Sequence, residues 1–280
     1  MNILVIGATG VLGRNVAPRL IERGHAVRAV VRRREQAQFL QHTGAEPTVG
    51  DIFDRNSLDD AARGCDVALH LATAVPKSGV QDWSLNDRVR REGTRNFIAA
   101  ATSHGVKRYI QQSITLLYGD NGQAIVNESA PTQPTPVSQS AADMEDIVRA
   151  SALEWCILRG GLFYGAGTGR DDEWRQAAWQ GRLMLPHDGS DLISLVHVVD
   201  MARAVVTATE NAPSGSVYNI VDDEPVSYKR LFTHVAAQLN TAAPQAGGPK
   251  FLPSLGCSNA KIKQELSWQP SYPSYRSGLA

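Results

Sequence analysis

Ile3-Leu4-Val5-Ile6-Gly7-Ala8-Thr9-Gly10-Val11-Leu12-Gly13 runs from four aliphatic residues straight into three glycines spaced by three. An unbroken aliphatic run of this length fits a strand buried on both faces. From Val11 onward Leu12, Val16 and Leu20 are spaced by four, one face of a helix that Gly24 stops. Pro18 lies inside that helix and predicts a local kink. A second strand-like run follows at 26–31. Strand, glycine turn, helix and strand make the setting in which such a turn holds a dinucleotide. Gly7 permits the tight turn, Gly10 lets the backbone approach a pyrophosphate, and Gly13 lets the helix pack on the strand. Backbone N–H groups at the helix start face the phosphates. The expected contacts here are Gly7, Thr9, Gly10, Val11, Leu12 and Gly13.

The end of the second strand chooses between the nicotinamide cofactors. An acidic residue there holds the adenosine 2′-hydroxyl, whereas an Arg accommodates a 2′-phosphate. The chain reads Arg28-Ala29-Val30-Val31-Arg32-Arg33-Arg34, with no acid in place. A planar guanidinium suits both a phosphate and an adenine face. We therefore expect NADP(H) over NAD(H), with Arg32 and Arg33 as the phosphate partners.

Outward from this turn, strands and helices alternate. Segments 67–71, 106–110 and 155–158 read as strands, and 88–103 and 138–151 as helices. Gly105 stops the first helix, and Ser140 with Asp143 is spaced as a capping box for the second. Three prolines make 130–136 a loop. This rhythm predicts an α/β fold, a Rossmann-type doubly wound parallel sheet. After Arg159 the pattern changes. Gly160, Gly161, Gly165, Gly167 and Gly169 give a turn-rich stretch, followed by helix-like pieces at 171–180, 197–210, 227–240 and 258–266. Strand-like pieces fall at 192–196 and 217–221, and 241–250 reads as a surface loop. The expected organisation is a dinucleotide-binding domain over 1–165, its sheet completed by parts of 190–222, and an interleaved substrate lobe over 166–280. The active cleft is expected between them.

Composition narrows the partners. The 280 residues carry 28 Lys+Arg against 28 Asp+Glu, a formal net charge of zero. That excludes the basic excess of nucleic-acid and membrane-surface binders. No apolar run reaches the length of a membrane span, and the N-terminus lacks the pattern of a signal peptide. Cys65, Cys156 and Cys257 have no zinc-ligand spacing and read as core residues in a reducing compartment. The expectation is a cytoplasmic protein, monomer or homodimer, with a small-molecule substrate and no metal.

The glycine segment resembles the N-terminal signature of extended and atypical short-chain dehydrogenase/reductases, the epimerase/dehydratase-like group. Other pieces agree in order across almost the whole chain. Gly50-Asp51-Ile52 is similar to the segment whose Asp contacts adenine. Asp66-Val67-Ala68-Leu69-His70-Leu71-Ala72-Thr73 is similar to the fourth strand and the turn beside the cofactor. Leu158-Arg159-Gly160-Gly161-Leu162-Phe163-Tyr164-Gly165 resembles the segment passing the nicotinamide. The resemblance adds Asp51, Ile52, Leu71, Ala72, Thr73, Ser113, Gly161 and Phe163 to the expected cofactor contacts.

The catalytic pattern of that family is broken here. Its Tyr-x-x-x-Lys dyad, registered on Glu145, falls on Val137 and Ala141, and neither side chain moves a proton. A family Asn falls on Arg90. Gln112-Ser113-Ile114-Thr115-Leu116-Leu117-Tyr118-Gly119 aligns with a Ser-Ser-x-x-x-Tyr-Gly pattern, which puts Ser113 at the first Ser and Ile114 at the second. The catalytic candidates are Ser113, Tyr118 and Tyr164, with Arg90 as a cation able to assist a phenol. Ser194, His197 and Asp200 lack the elbow of a nucleophile triad, and His197 reads as structural. Three functions fit: a reductase with another acid or none, a redox-neutral epimerase or dehydratase-like enzyme, and a non-catalytic NADP(H) sensor. The reductase, acting on a small, fairly apolar organic molecule, is the leading expectation.

Overall fold

β1 (Asn2–Ile6) sits at the centre of the molecule's main sheet because Ile3, Leu4 and Val5 expose no surface on either face. The computed structural model describes residues 1–33, 35, 40, 42–76, 82–250 and 252–279. β1 pairs in parallel with β2 (Ala26–Val31) on one side and β4 (Val67–His70) on the other. β3 (Glu46–Val49) adds to β2, and β5 (Arg108–Ile114) adds to β4, also in parallel. With β6 (Glu154–Gly160) and β7 (Ser216–Ile220) the order is β7-β6-β5-β4-β1-β2-β3. Strand order reverses between β1 and β4, the switch point at which open α/β sheets bind ligands.

The chain divides into two compact units. The first comprises Met1–Ser113, Pro136–Leu158 and Ala202–Val217. One of its cores joins Leu4, Ile6 and Ala68 of the sheet to Leu58, Phe97, Tyr109 and Val148. The second comprises Ile114–Thr135, Arg159–Met201 and Tyr218–Ala280. Its largest core gathers Tyr164, Trp174, Leu195, Leu231, Phe232 and Tyr275. Two parallel strands, Leu162–Tyr164 and Leu195–His197, carry the glycine-rich stretch after Gly160.

The helix Val11–Glu22 buries Leu12, Val16 and Leu20 and runs through Pro18, which supplies no backbone N–H. Several sequence expectations need correcting. The expected helix over 88–103 begins earlier, as Ser84–Arg88, passes through a π-helical turn at Val89–Gly93 and ends as Thr94–Ser103. β5 continues past Ile110 to Ile114. The expected capping box is absent: the helix Gln139–Arg149 has Ser138 as N-cap, with no side-chain cap bond. Asp143 instead binds Arg91 Nε at 2.6 Å, and Ser140 accepts from Arg90. The stretch 192–196 splits into Leu192–Ile193 and the strand from Leu195, and 241–250 contains a short exposed strand, Gln245–Gly248. Cys65, Cys156 and Cys257 are buried, as expected of core residues, and none is in a disulfide. Among the described residues, no helix is long and apolar enough to cross a membrane, and no cluster of three or more His, Cys, Asp or Glu could hold a metal.

Candidate functional site

β1 ends at Ile6, and Gly7 turns the chain at a φ of 89°. A Cβ on Gly7 would lie 2.6 Å from the backbone of Leu71 and Ala72, so this close approach requires glycine. A Cβ on Gly13 would overlap the Gly7 carbonyl and lie 2.5 Å from Ala8 Cα. Gly10 differs: a Cβ there would meet only the Gly7 carbonyl, at 3.3 Å. The Gly10 N–H closes the turn onto that carbonyl at 3.0 Å, and the Thr9 carbonyl accepts from Arg14 Nε at 2.8 Å. Gly10 is the N-cap of the helix, with no side-chain cap and no acid in the first turn, and Val11 beside it is exposed. A helix start left uncapped by side chains, with a cradle that Cβ atoms would fill, fits the pyrophosphate of a nicotinamide dinucleotide.

Arg32 and Arg33 follow β2 directly and are exposed. Neither bonds to another side chain or carbonyl among the described residues, and Arg34 lies outside those residues. Arg28, by contrast, is committed: it donates to the Ala61 and Arg63 carbonyls and pairs with Glu46. Gly50 donates to the Val31 carbonyl, bringing Asp51 to the same edge. Asp51 Oδ1 accepts from the Phe53 N–H at 2.9 Å. Ile52 is buried against Gly93, where a Cβ would lie 2.6 Å from its Cδ1. Leu71 is buried, bonded through its N–H to the Ile6 carbonyl; Ala72 is half-buried and Thr73 exposed.

Ser113 stands next to the end of β5 and is buried. Its Oγ donates to Glu145 Oε1 at 2.6 Å, and Arg149 Nη2 donates to Glu145 Oε2 at 2.6 Å. Val137 is exposed and Ala141 fully buried. Arg90 is buried, and its Nη1 donates to Ser140 Oγ at 3.1 Å. Arg90 is therefore not the helix-surface side chain that its sequence position implies. Burial lowers its pKa to about 10.

In the second unit Tyr118 is buried, and its phenol donates to Asn219 Oδ1 at 2.8 Å. The Arg159 guanidinium lies 4.8 Å from the Tyr118 ring centroid. Burial raises the Tyr118 pKa and Arg159 opposes the rise. The sequence reading missed Arg159; its position two residues before Gly161 was the available signal. Tyr164 is fully buried, its phenol donating to the Ser274 carbonyl at 3.3 Å and its pKa pushed far up by burial. Gly161 approaches so closely that a Cβ would lie 2.6 Å from the Ser194 carbonyl oxygen, and the half-buried Phe163 ring fills the space beside Gly160. His197 stacks on Tyr272 at 3.8 Å, Asp200 accepts from the Ser271 and Tyr272 N–H groups, and Ser194 bonds Cys257 and Leu255. These three residues are engaged in holding backbone and rings. Trp174 packs on Phe232 at 6.0 Å, while Trp179 is 65% exposed.

A sheet with this order and this glycine turn defines a dinucleotide-binding protein. A family model described as NAD(P)H-binding matches residues 7–178. A 3-diazoavenalumate denitrifying reductase from Streptomyces sp is 31% identical over 306 residues, covering 100% of this chain and 99% of that protein. A 4-hydroxy-2-methyl-3-oxo-4-farnesyl-3,4-dihydroquinoline-1-oxide ketoreductase from Stigmatella aurantiaca is 30% identical over 241 residues, 83% of this chain and 72% of its own length. Among solved structures, DesIV, a dTDP-glucose 4,6-dehydratase from Streptomyces venezuelae with NAD bound, superposes with a TM-score of 0.86 at 22% identity, covering 100% of this chain and 95% of that one. The chain belongs to the NAD(P)H-binding family.

Proposed function

We propose that the protein is an NADP(H)-dependent reductase of a small, fairly apolar organic molecule. The observation that carries the cofactor choice is the pair Arg32 and Arg33, exposed at the end of β2 with no acidic residue in their place. The full-length likeness to a protein named a reductase supports the reaction class. When bound, NADPH would supply a hydride, and the substrate would gain that hydride and one proton.

The chain's own residues have distinct tasks in this reading. The turn from Gly7 to Gly13 holds the pyrophosphate, with Thr9, Gly10, Val11 and Leu12 presenting backbone. Arg32 and Arg33 hold the 2′-phosphate, and Asp51 and Ile52 the adenine. Leu71, Ala72, Thr73, Gly161 and Phe163 are proposed contacts further along the cofactor. Ser113 acts by positioning, its buried hydroxyl hydrogen-bonded to the Glu145 carboxylate that Arg149 also holds. Tyr118 ranks above Tyr164 as proton donor, because Arg159 offsets the burial that keeps its phenol weakly acidic. For Tyr164 the carboxylates of Asp222, Asp200 and Asp171 add to burial and push its pKa further up.

The test is NADPH consumption by the purified protein against a panel of ketones and enones. At least one is expected to be reduced, and Tyr118→Phe should lose on the order of 10²–10⁴ in rate. NADPH that binds but is never oxidised by any acceptor would overturn the reading in favour of a redox-neutral or sensor role.

A further inference from the structure

Arg90 is a buried cation with no carboxylate within ion-pair distance among the described residues, although the Asp87 charge acts on it from further off. It is 6% exposed, and its hydrogen bond among the described residues goes to the neutral Ser140 hydroxyl. The carboxylates nearby are taken by other arginines: Arg88 pairs with Glu92, and Arg91 with Asp87 and Asp143. A buried guanidinium left without a paired charge is costly.

A second group points the same way. Asn86, four residues earlier, exposes no surface; its Oδ1 accepts from the Ala74 N–H at 3.0 Å, and its Nδ2 has no partner among the described residues. Thr94 Oγ1, four residues after Arg90, is also buried without a partner among the described residues. Residues four apart share a helix face, so Asn86, Arg90 and Thr94 form one buried polar stripe. The π-helical turn Val89–Gly93 interrupts the helix within that stripe, a distortion that recurs at functional sites. The bond to Ala74 ties the stripe to the segment leaving the C-terminal end of β4, the ligand-binding edge of such sheets. The guanidinium and the amide N–H are both donors; among the described residues the guanidinium gives one N–H to Ser140, and the Asn86 Nδ2 has no acceptor. A carboxylate supplies two oxygens and the missing charge, in the planar shape that a guanidinium fork matches.

We propose that Arg90 and the Asn86 amide seat a carboxylate of the organic substrate. This names the substrate class for the reductase reading, and it rests on that reading only in assigning the carboxylate to the substrate.

The probe is benzoate, with benzamide as its uncharged counterpart and inorganic phosphate as a competing anion. Each is titrated calorimetrically into the full-length protein saturated with NADP⁺, so no turnover is required. Benzoate is expected to bind and benzamide not. Arg90→Gln should weaken benzoate by about tenfold or more, the worth of one charge-assisted contact, while NADP⁺ still binds. Asn86→Asp retains an oxygen for the Ala74 N–H and supplies a carboxylate from the chain itself. It should raise the melting temperature and abolish benzoate binding. Should Arg90→Gln fail to fold, unchanged benzoate affinity in Asn86→Asp would overturn the seat. So would benzoate affinity unchanged in Arg90→Gln, or no benzoate binding at millimolar concentrations. Phosphate binding tighter than benzoate through Arg90 would overturn the carboxylate assignment. A protein that binds benzoate through Arg90 but never oxidises NADPH would lose the reductase reading and keep the seat.

Discussion

Ser113 Oγ and Glu145 Oε1 lie 2.6 Å apart, and each side chain belongs to a residue that is 1% exposed. This bond ties β5 to the helix Gln139–Arg149. Removing the hydroxyl withdraws one donor from a buried carboxylate, so Ser113→Ala should destabilise the protein by about 1–3 kcal/mol. Urea unfolding would show this as a lower midpoint at an unchanged slope. A positioning role predicts that the folded variant keeps most of its kcat. A loss of on the order of 10²-fold in kcat at full folding would instead put Ser113 against the substrate.

Gly10 and Gly13 separate cofactor contact from packing. A Cβ on Gly13 meets the Gly7 carbonyl and Ala8, so Gly13→Ala should cost about 1–3 kcal/mol of stability by overpacking. A Cβ on Gly10 meets the Gly7 carbonyl at 3.3 Å, a tight contact relieved by a shift of a few tenths of an ångström, and projects at the uncapped helix start. Gly10→Ala should therefore fold and bind NADPH about tenfold or more weakly, since the donors that approach a phosphate are obstructed. Unchanged NADPH affinity in the folded Gly10→Ala variant would place the pyrophosphate elsewhere.

Arg32 and Arg33 test the cofactor choice. Converting both to Ala should weaken NADPH by about tenfold or more, from a charge-assisted contact worth roughly 1.5–3 kcal/mol. NADH affinity should barely change, because NADH has no 2′-phosphate for them to hold. Equal affinity of the native protein for both nucleotides, measured by fluorescence titration, would contradict the assignment.

The glycine turn and its flanking strands were legible because every constraint on them is local: aliphatic residues for a two-faced strand, small residues for a tight turn. β3 was not, since Glu46-Pro47-Thr48-Val49 is a half-exposed edge strand whose only hydrophobic signal is broken by proline. β5 appeared to stop at Ile110 because Gln111, Gln112 and Ser113 are polar. They remain buried in the strand through bonds invisible in sequence, Tyr109 to Gln111 and Ser113 to Glu145. Ser140 had the spacing of a cap, yet its hydroxyl is taken by Arg90, fifty residues away in the chain. The same separation hid Arg90 itself. An arginine set among Arg88, Arg91 and Arg95 reads as part of a solvated face, and only the fold shows that this one is buried.

His70 gives the acid limit of stability. Its ring is buried with neither nitrogen bonded, and burial lowers its pKa from 6.5 to about 4. The folded state therefore holds His70 neutral where the unfolded chain is protonated. Its contribution is fully present above pH 6.5 and is lost as pH falls toward about 4, with a slope of at most about 1.4 kcal/mol per pH unit. His70→Leu should flatten the unfolding free energy over that window, measured by urea titration at a series of pH values. Parallel profiles for the two proteins would show that the ring is solvated.

Asp222 sets the alkaline side. It is 2% exposed, its Oδ1 accepts from the Glu224 N–H at 3.2 Å, and its Oδ2 has no partner. Burial raises its pKa from 3.8 to about 8, and the carboxylates of Glu224, Asp223 and Asp200 add to the rise. The folded state thus holds a proton that the unfolded chain releases. Stability from this group is fully present below pH 3.8 and is lost progressively as pH rises through about 8. Asp222→Asn keeps an oxygen for the Glu224 N–H and removes the titration. The variant should match the native protein in acid and exceed it in stability above pH 8, by about 1 kcal/mol or more. Thermal melts of both proteins on either side of that pH decide the matter. If the native melting temperature does not fall relative to the variant's as the solution becomes alkaline, then Asp222 is ionised in the folded protein, and the acidic cluster around it must be neutralised by solvent.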